Sequence, residues 1–345
     1  MTGATGLIGA HIVQALVAAG HDVTALARPT SQRAALADLP IRWFVADLLD
    51  PEVDLQAACK GNQVVFHTAA QFSYGATAGI YETAVRGTAS VLRACASAGV
   101  DRIVVTSSSV VFGYGDANAS IDEQVGLASA CGEPIYVAAK IAQHREALTL
   151  GKRLKLDVRL ACPTMTLGPT SAHLGPSNGI VLAYLADLFA CTYPGGCNLV
   201  SARDVAAGHL AIAQTGAAGQ SYLLGSQNLT WHDIHTLIAE LSGVAPPRIV
   251  LNRSLAFVAT ATEELHAGMA GRAALSTREQ AMMVGRYYWY SHDKAIQLGY
   301  APAPARDALI ETISWLAASR HVTREMRARM RLADEIYYFR YGRAR

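Results

Sequence analysis

The chain has 345 residues, 51% of them hydrophobic and 16% charged, with 29 Lys and Arg against 27 Asp and Glu. That balance excludes a disordered chain, and a net charge of +2 gives no global field to draw nucleic acid. The cysteines at 59, 95, 131, 162, 191 and 197 form no CxxC pair, so they read as reduced thiols of a cytoplasmic protein, not a disulfide frame or a metal site.

The first element is a glycine turn, TGATGLIG, with Gly3, Gly6 and Gly9 three apart. In a dinucleotide site the first glycine permits a tight turn, the second lets backbone N–H groups approach a pyrophosphate, and the third lets helix pack on strand. AHIVQALVAAG continues as a helix, with Ile8, Ile12, Leu16 and Ala19 on one face and Gly20 at its end. Such a turn ordinarily follows a hydrophobic strand at the centre of the sheet, and here only Met1 and Thr2 precede it. Losing that strand would leave buried backbone groups unpaired, at about 1–3 kcal/mol each. The expectation is a misassigned start or a truncated sequence, with another segment filling the gap as the alternative.

Strands follow at DVTALA (22–27), IRWFVAD (41–47), QVVFH (63–67), RIVVTSSS (102–109) and DVRLAC (157–162). Helices fall near 80–98, closed by Gly99, and over 136–148. Continuous apolar strands alternating with helices predict a Rossmann-type, doubly wound parallel sheet, whose ligands sit beyond the carboxyl ends of the strands. The second half is less regular, with helices at 203–214 and 231–241 and strands at SYLLG (221–225) and RIVL (248–251). Residues 1–163 with 198–225 are expected to form the dinucleotide domain, 164–197 with 226–320 a smaller substrate lobe, and SYLLG to return to the main sheet. The apolar stretch 179–193 is interrupted by Asp187 and reads as a buried helix, so no stable membrane insertion is expected.

Ala27 and Arg28 end the second strand position, where an acid would grip the ribose 2′-hydroxyl of NAD. Arg28, assisted by Thr30 or Ser31, suits a 2′-phosphate, which favours NADP(H) over NAD(H); a solvated surface arginine is the plain alternative. Tyr136 and Lys140 lie four apart on one helix face. An ammonium beside a phenol favours the phenolate and lowers its pKa, which fits acid–base work. Ser107, Ser108 and Ser109 close the preceding strand, where a hydroxyl could orient a carbonyl.

With these motifs the chain resembles the extended short-chain dehydrogenase/reductases. TGATGLIG, VADL (45–48), FHTAA (66–70), TSSSVVFG (106–113), YVAAK (136–140) and PTMTLGP (163–169) carry the likeness. VSARDVAAGHLAI (200–212), YLLGSQNLT (222–230) and DKAIQLGYAPAP (293–304) resemble the dihydroflavonol-4-reductase and 3β-hydroxysteroid-dehydrogenase-like branch. They also resemble bacterial members described as epimerase/dehydratases or hopanoid-associated sugar epimerases. The likeness covers about residues 2–320. It implies a pyrophosphate site at Gly3, Gly6 and Gly9, with Thr5, Leu7 and Ile8 beside it. It implies Arg28 at the 2′-phosphate, Asp47 and Leu48 by the adenine, Thr68, Ala69 and Ala70 under the cofactor, and Pro163 by the nicotinamide. Ser108 matches the catalytic serine, and Tyr136 and Lys140 the catalytic pair, with Lys140 also holding the nicotinamide ribose. One departure is Ala84, where the family usually has asparagine.

The sequence thus predicts hydride transfer between NADP(H) and a ketone, aldehyde or secondary alcohol. Ser108 would orient the oxygen, Tyr136 would exchange its proton and Lys140 would tune Tyr136. MMVGRYYWYS (282–291) and the Ala-rich second lobe suggest an apolar, small-molecule substrate. The rivals are a nucleotide-sugar epimerase or dehydratase that retains its cofactor, and a non-catalytic NADP-binding scaffold. A homodimer is left open. The tail 321–345 is basic and aromatic; Met326, Met330, Ile336 and Tyr337, Tyr338, Phe339 and Tyr341 read as packing on the protein itself or a second subunit rather than on a membrane surface.

Overall fold

A computed structural model describes residues 1–341, apart from Pro51, 71–78, Asn118, 171–173, 272, 273 and Leu275. The tail residues 342–345 and the side chain of Tyr341 therefore lie outside the described residues. The strands are β1 (Val23–Ala27), β2 (Ile41–Val45), β3 (Val64–His67), β4 (Arg102–Thr106), β5 (Asp157–Pro163), β6 (Met165–Leu167) and β7 (Cys191–Thr192). They continue as β8 (Gly196–Ser201), β9 (Ser221–Leu224), β10 (Gln227–Thr230), β11 (Ile249–Val250) and β12 (Tyr287–Tyr288).

β3, β4, β5 and β9 form a parallel block in that order, and β1 pairs with β2 in a second parallel block. Thr2 stands between the blocks, bridging Leu26 on one side and His67 on the other. Its N–H donates to Phe66 O at 2.9 Å, and Leu26 N–H donates to Met1 O at 2.8 Å. Met1 and Thr2 thus occupy the end of the central strand position, and no other described segment pairs with both β1 and β3. SYLLG does return to the main sheet, as β9 beside β5.

The strands are apolar because helices cover both faces. Their side chains alternate, as the two-residue pleat requires. Phe66, Val104 and Ala161 pack with Ile12, Val205 and Ile212 under helices Leu7–Ala18 and Ala202–Thr215. Val65, Ile103, Val105 and Leu160 point the other way, toward Leu92, Ile141 and Leu150 of helices Thr88–Ala98 and Ile135–Leu154.

The helix expected over 80–98 is interrupted by a π-helical turn at Thr83–Gly87, and Gly99 ends it in a left-handed conformation with φ +69°. Strand RIVVTSSS stops at Thr106, since Ser109–Phe112 turns into a 3-10 helix. RIVL shrinks to the two residues of β11, which are exposed and pair only with β7. A second sheet has the order β10-β8-β12, with β6 also on β8. The tail packs on its own chain: Met326, Met330 and Ile336 are buried in the main core, while Tyr338 and Phe339 are exposed. Among the described residues no helix is long and apolar enough to cross a membrane.

Candidate active site

The carboxyl ends of the main strands open into one cavity of about 980 Å³, and every residue assigned above to cofactor or reaction, Thr30 excepted, lines it. At one end is the glycine turn. Gly3 has φ +69°, and a Cβ there would sit 2.6 Å from Ala69 N. A Cβ on Gly9 would lie 2.1 Å from Gly3 O. Gly6 differs: the nearest atom to its Cβ would be Gly3 O at 3.4 Å, and Gly6 is exposed and lines the cavity. Gly6 also caps helix Leu7–Ala18 without a side-chain partner or an acid in the first turn. Free N–H groups at a helix start, with space at Gly6, fit a diphosphate.

Beyond the turn, Arg28 emerges exposed from the end of β1, and its carbonyl accepts from Ser31 N at 3.0 Å. Arg28 and Ser31 line the cavity, whereas Thr30 does not. Asp47 Oδ1 accepts from Leu49 N at 2.9 Å and fixes the turn after β2. Thr68 and Ala69 are anchored to the chain start, with Thr68 Oγ1 donating to Thr2 O at 2.8 Å. Arg28, Asp47 and Thr68–Ala70 thus line the same cavity as the glycine turn.

At the other end, Tyr136 and Lys140 rise from the first turns of helix Ile135–Leu154, and both are buried. The Tyr136 hydroxyl is hydrogen-bonded to Ser108, just past the end of β4. Sequence reasoning has the lysine lowering the phenol's pKa. Here burial outweighs the Ser108 hydrogen bond and pushes Tyr136 up to about 12. Burial also brings Lys140 down to about 8. Its Nζ donates to Thr106 O at 3.1 Å and to Gln143 Oε1 at 2.8 Å.

Three buried histidines surround this cluster. His67 lies between Thr2 Oγ1 (2.8 Å) and Thr88 Oγ1 (3.0 Å), His144 between Ser107 Oγ (2.8 Å) and Ser221 Oγ (3.1 Å). His209 Nε2 meets Thr106 Oγ1 at 2.8 Å. Burial lowers His67 to about 3 and the other two to about 4, with the Lys140 charge adding to the effect on His67 and His144. Their folded pKa values lie below the unfolded value of about 6.5, so they stabilise the fold above that pH and the contribution is lost as pH falls toward 4. Each costs about 2 kcal/mol between pH 6.5 and 5. The melting temperature is expected to fall by roughly 5–8 °C from pH 7.5 to pH 5. A flat calorimetric profile over that range would refute the assignment.

The rest of the cavity is walled by the second sheet and its helices. Tyr184, Tyr193 and Trp231 line it, with Tyr193 edge-on to Trp231 at 5.9 Å. From the 282–291 stretch, Met283, Tyr288 and Tyr290 also reach it. Sequence reasoning did not single out Gln143, Thr88 or His67. Gln143 was legible as an i+3 neighbour of Lys140; His67 and Thr88 stood inside stretches read for other residues. Tyr184, Tyr193 and Trp231 carried no local signal.

The sequence model of the family described as NAD dependent epimerase/dehydratase matches residues 1–225. Over 324 residues the chain is 31% identical to a candidate dihydroflavonol 4-reductase of Synechocystis sp., covering 91% of this chain and 93% of that one. It is 29% identical over 253 residues to sterol demethylase protein B of Methylococcus capsulatus, covering 73% and 76% of the two chains. The crystal structure of gox2253 superposes with a TM-score of 0.80 at 30% identity, covering 93% of this chain and 98% of that one.

Proposed function

The chain belongs to the NAD-dependent epimerase/dehydratase family, an NAD(P)-binding group of extended short-chain dehydrogenase/reductases, and we propose that it is an NADP(H)-dependent reductase of ketones or aldehydes on a fairly apolar substrate. The observation that carries this reading is the Ser108–Tyr136 hydrogen bond, with Lys140 on the same helix, in a cavity continuous with the Gly3–Gly9 turn. The bound dinucleotide supplies hydride from its nicotinamide. Ser108 holds the carbonyl oxygen, and Tyr136 delivers a proton to it as negative charge develops. A phenol kept protonated by burial is ready to act as that acid at neutral pH. Lys140 holds the nicotinamide ribose and offsets the phenolate that remains. Gly6 and the start of helix Leu7–Ala18 take the diphosphate, and Pro163 flanks the nicotinamide.

Arg28 supports NADP(H), because no acid stands at the end of β1. The aromatic wall supports an apolar substrate, as do the names of the Synechocystis and Methylococcus relatives. Arg28→Ala is expected to weaken NADPH binding about ten- to a hundredfold, from charge-assisted hydrogen bonds of about 1.5–3 kcal/mol, and to leave NADH nearly unchanged. Titration of both cofactors checks this; equal wild-type affinities, or equal losses, would remove the NADP assignment. The activity itself is tested by following NADPH consumption against a panel of ketones and aldehydes. No turnover with NADPH bound would favour a binding scaffold, and a cofactor that survives purification and is regenerated each cycle would favour an epimerase.

A further inference from the structure

Lys140 does not stand alone under the cavity. Its Nζ donates to Gln143 Oε1 at 2.8 Å, and Gln143 Nε2 donates to Thr88 Oγ1 at 3.0 Å. Thr88 Oγ1 meets His67 Nε2 at 3.0 Å, and His67 Nδ1 meets Thr2 Oγ1 at 2.8 Å. Thr2 Oγ1 accepts from Ala69 N at 3.3 Å, on the loop that lines the cavity. Gln143, Thr88, His67 and Thr2 are all buried. Ala84, about one turn ahead of Thr88, is buried against Ala139 and brings no side-chain polar atom.

The chain has a direction. An ammonium only donates, so Gln143 must present its oxygen to Lys140 and its NH2 to Thr88. Thr88, having accepted, donates to His67 Nε2, and a neutral His67 then donates from Nδ1 to Thr2. Each bond polarises the next away from the cation. An amide is a poor proton carrier, so the chain holds charge in place rather than passing protons along it.

We propose that Gln143 is the positioning residue for Lys140, and that Gln143, Thr88, His67 and Thr2 tie the lysine to the cofactor loop at Ala69. The proposal rests on the reading of Lys140 as the residue that holds the nicotinamide ribose. The loop beneath the cofactor and the ammonium beside it are thereby set by one continuous run of hydrogen bonds from β3 and two helices.

The pH dependence of NADPH affinity, followed by cofactor fluorescence, tests this without a substrate. The titratable groups near Lys140 are His67 on β3, His144 and Tyr136 on its own helix, Cys162 on β5, and the Met1 amine beyond His67. Burial holds the two histidines at about 3 and 4, the amine at about 6, and Tyr136 and Cys162 at about 12. Between pH 7 and 10 Lys140 is therefore the group of this cluster that titrates, near 8.

NADPH affinity is expected to weaken with an alkaline midpoint, and Lys140→Met to abolish that midpoint. Gln143→Met removes the acceptor, and the midpoint should fall by about one unit; Gln143→Glu adds an opposite charge, and it should rise by about one unit or more. Thr88→Val should move it in the same sense as Gln143→Met, by less, and serves if that variant does not fold. Opposite shifts from two side chains of similar size are not what a merely structural role produces. If Lys140→Met leaves the midpoint in place, the reading of Lys140 fails. If Lys140→Met abolishes it while the Gln143 and Thr88 variants leave it unmoved, the inference about Gln143 alone is overturned.

Discussion

Tyr136→Phe is expected to lower single-turnover hydride transfer by about 10²-fold or more while NADPH binds near its wild-type strength. The substitution removes one buried hydroxyl and keeps the ring. Cofactor contacts should survive, because the glycine turn and Arg28 are carried by elements other than the helix that bears Tyr136. The fold should survive too, since the loss is one hydrogen bond to Ser108, about 1 kcal/mol. A Tyr136 that only packed would show the reverse, a small stability change and near-normal transfer. Rapid-mixing measurement of hydride transfer, with a melt and an NADPH titration on the same sample, separates the two. Near-normal transfer would take Tyr136 out of the mechanism.

The three glycines should separate into two kinds. In Gly9→Ala the new methyl would overlap Gly3 O, a backbone atom that cannot move without moving the turn, so a melting temperature lowered by about 5 °C or an insoluble product is expected. Gly6→Ala meets no such obstacle, and its backbone angles (φ −81°, ψ 170°) suit alanine. That variant should melt within a degree or two of the wild type and bind NADPH at least about tenfold more weakly, because its methyl enters the space proposed for the diphosphate. The same pair of measurements decides it. Wild-type affinity in Gly6→Ala would mean that no diphosphate sits at the turn, and a wild-type melt in Gly9→Ala would mean that the turn is looser than its geometry.

Much of this site was legible because it hangs on local rules. Strand ends are marked by apolar runs that stop: β1 ends at Ala27 as expected, β5 runs one residue past Cys162 to Pro163, and β4 stops at Thr106, three serines short of the expected end. Tyr136 and Lys140 share a face by helical spacing alone. What stayed hidden depends on long-range meeting. His67 and Thr88 touch only because β3 and the helix after it fold back on one another, and the aromatic wall gathers Tyr184, Tyr193 and Trp231 from separate elements. The direction of the Tyr136 shift was also missed, because neighbouring charge can be read from spacing while desolvation comes from the whole fold. The π-turn at Thr83–Gly87 leaves no mark in composition that separates it from an ordinary helix.

The place of β9 carries a consequence for biosynthesis. It is the edge strand beside β5, yet in the chain it comes after the whole of β6, β7 and β8. On the ribosome, β5 therefore emerges well before its neighbour, and at about 5–20 residues per second the wait lasts several seconds. Throughout it, the row of backbone groups from Leu160 to Pro163 is an open apolar edge. Such an edge invites pairing with another nascent chain. No stop or cleavage ahead of residue 224 leaves β5 paired on both sides, so yield in a cell should depend on holdase supply and on translation speed between β5 and β9.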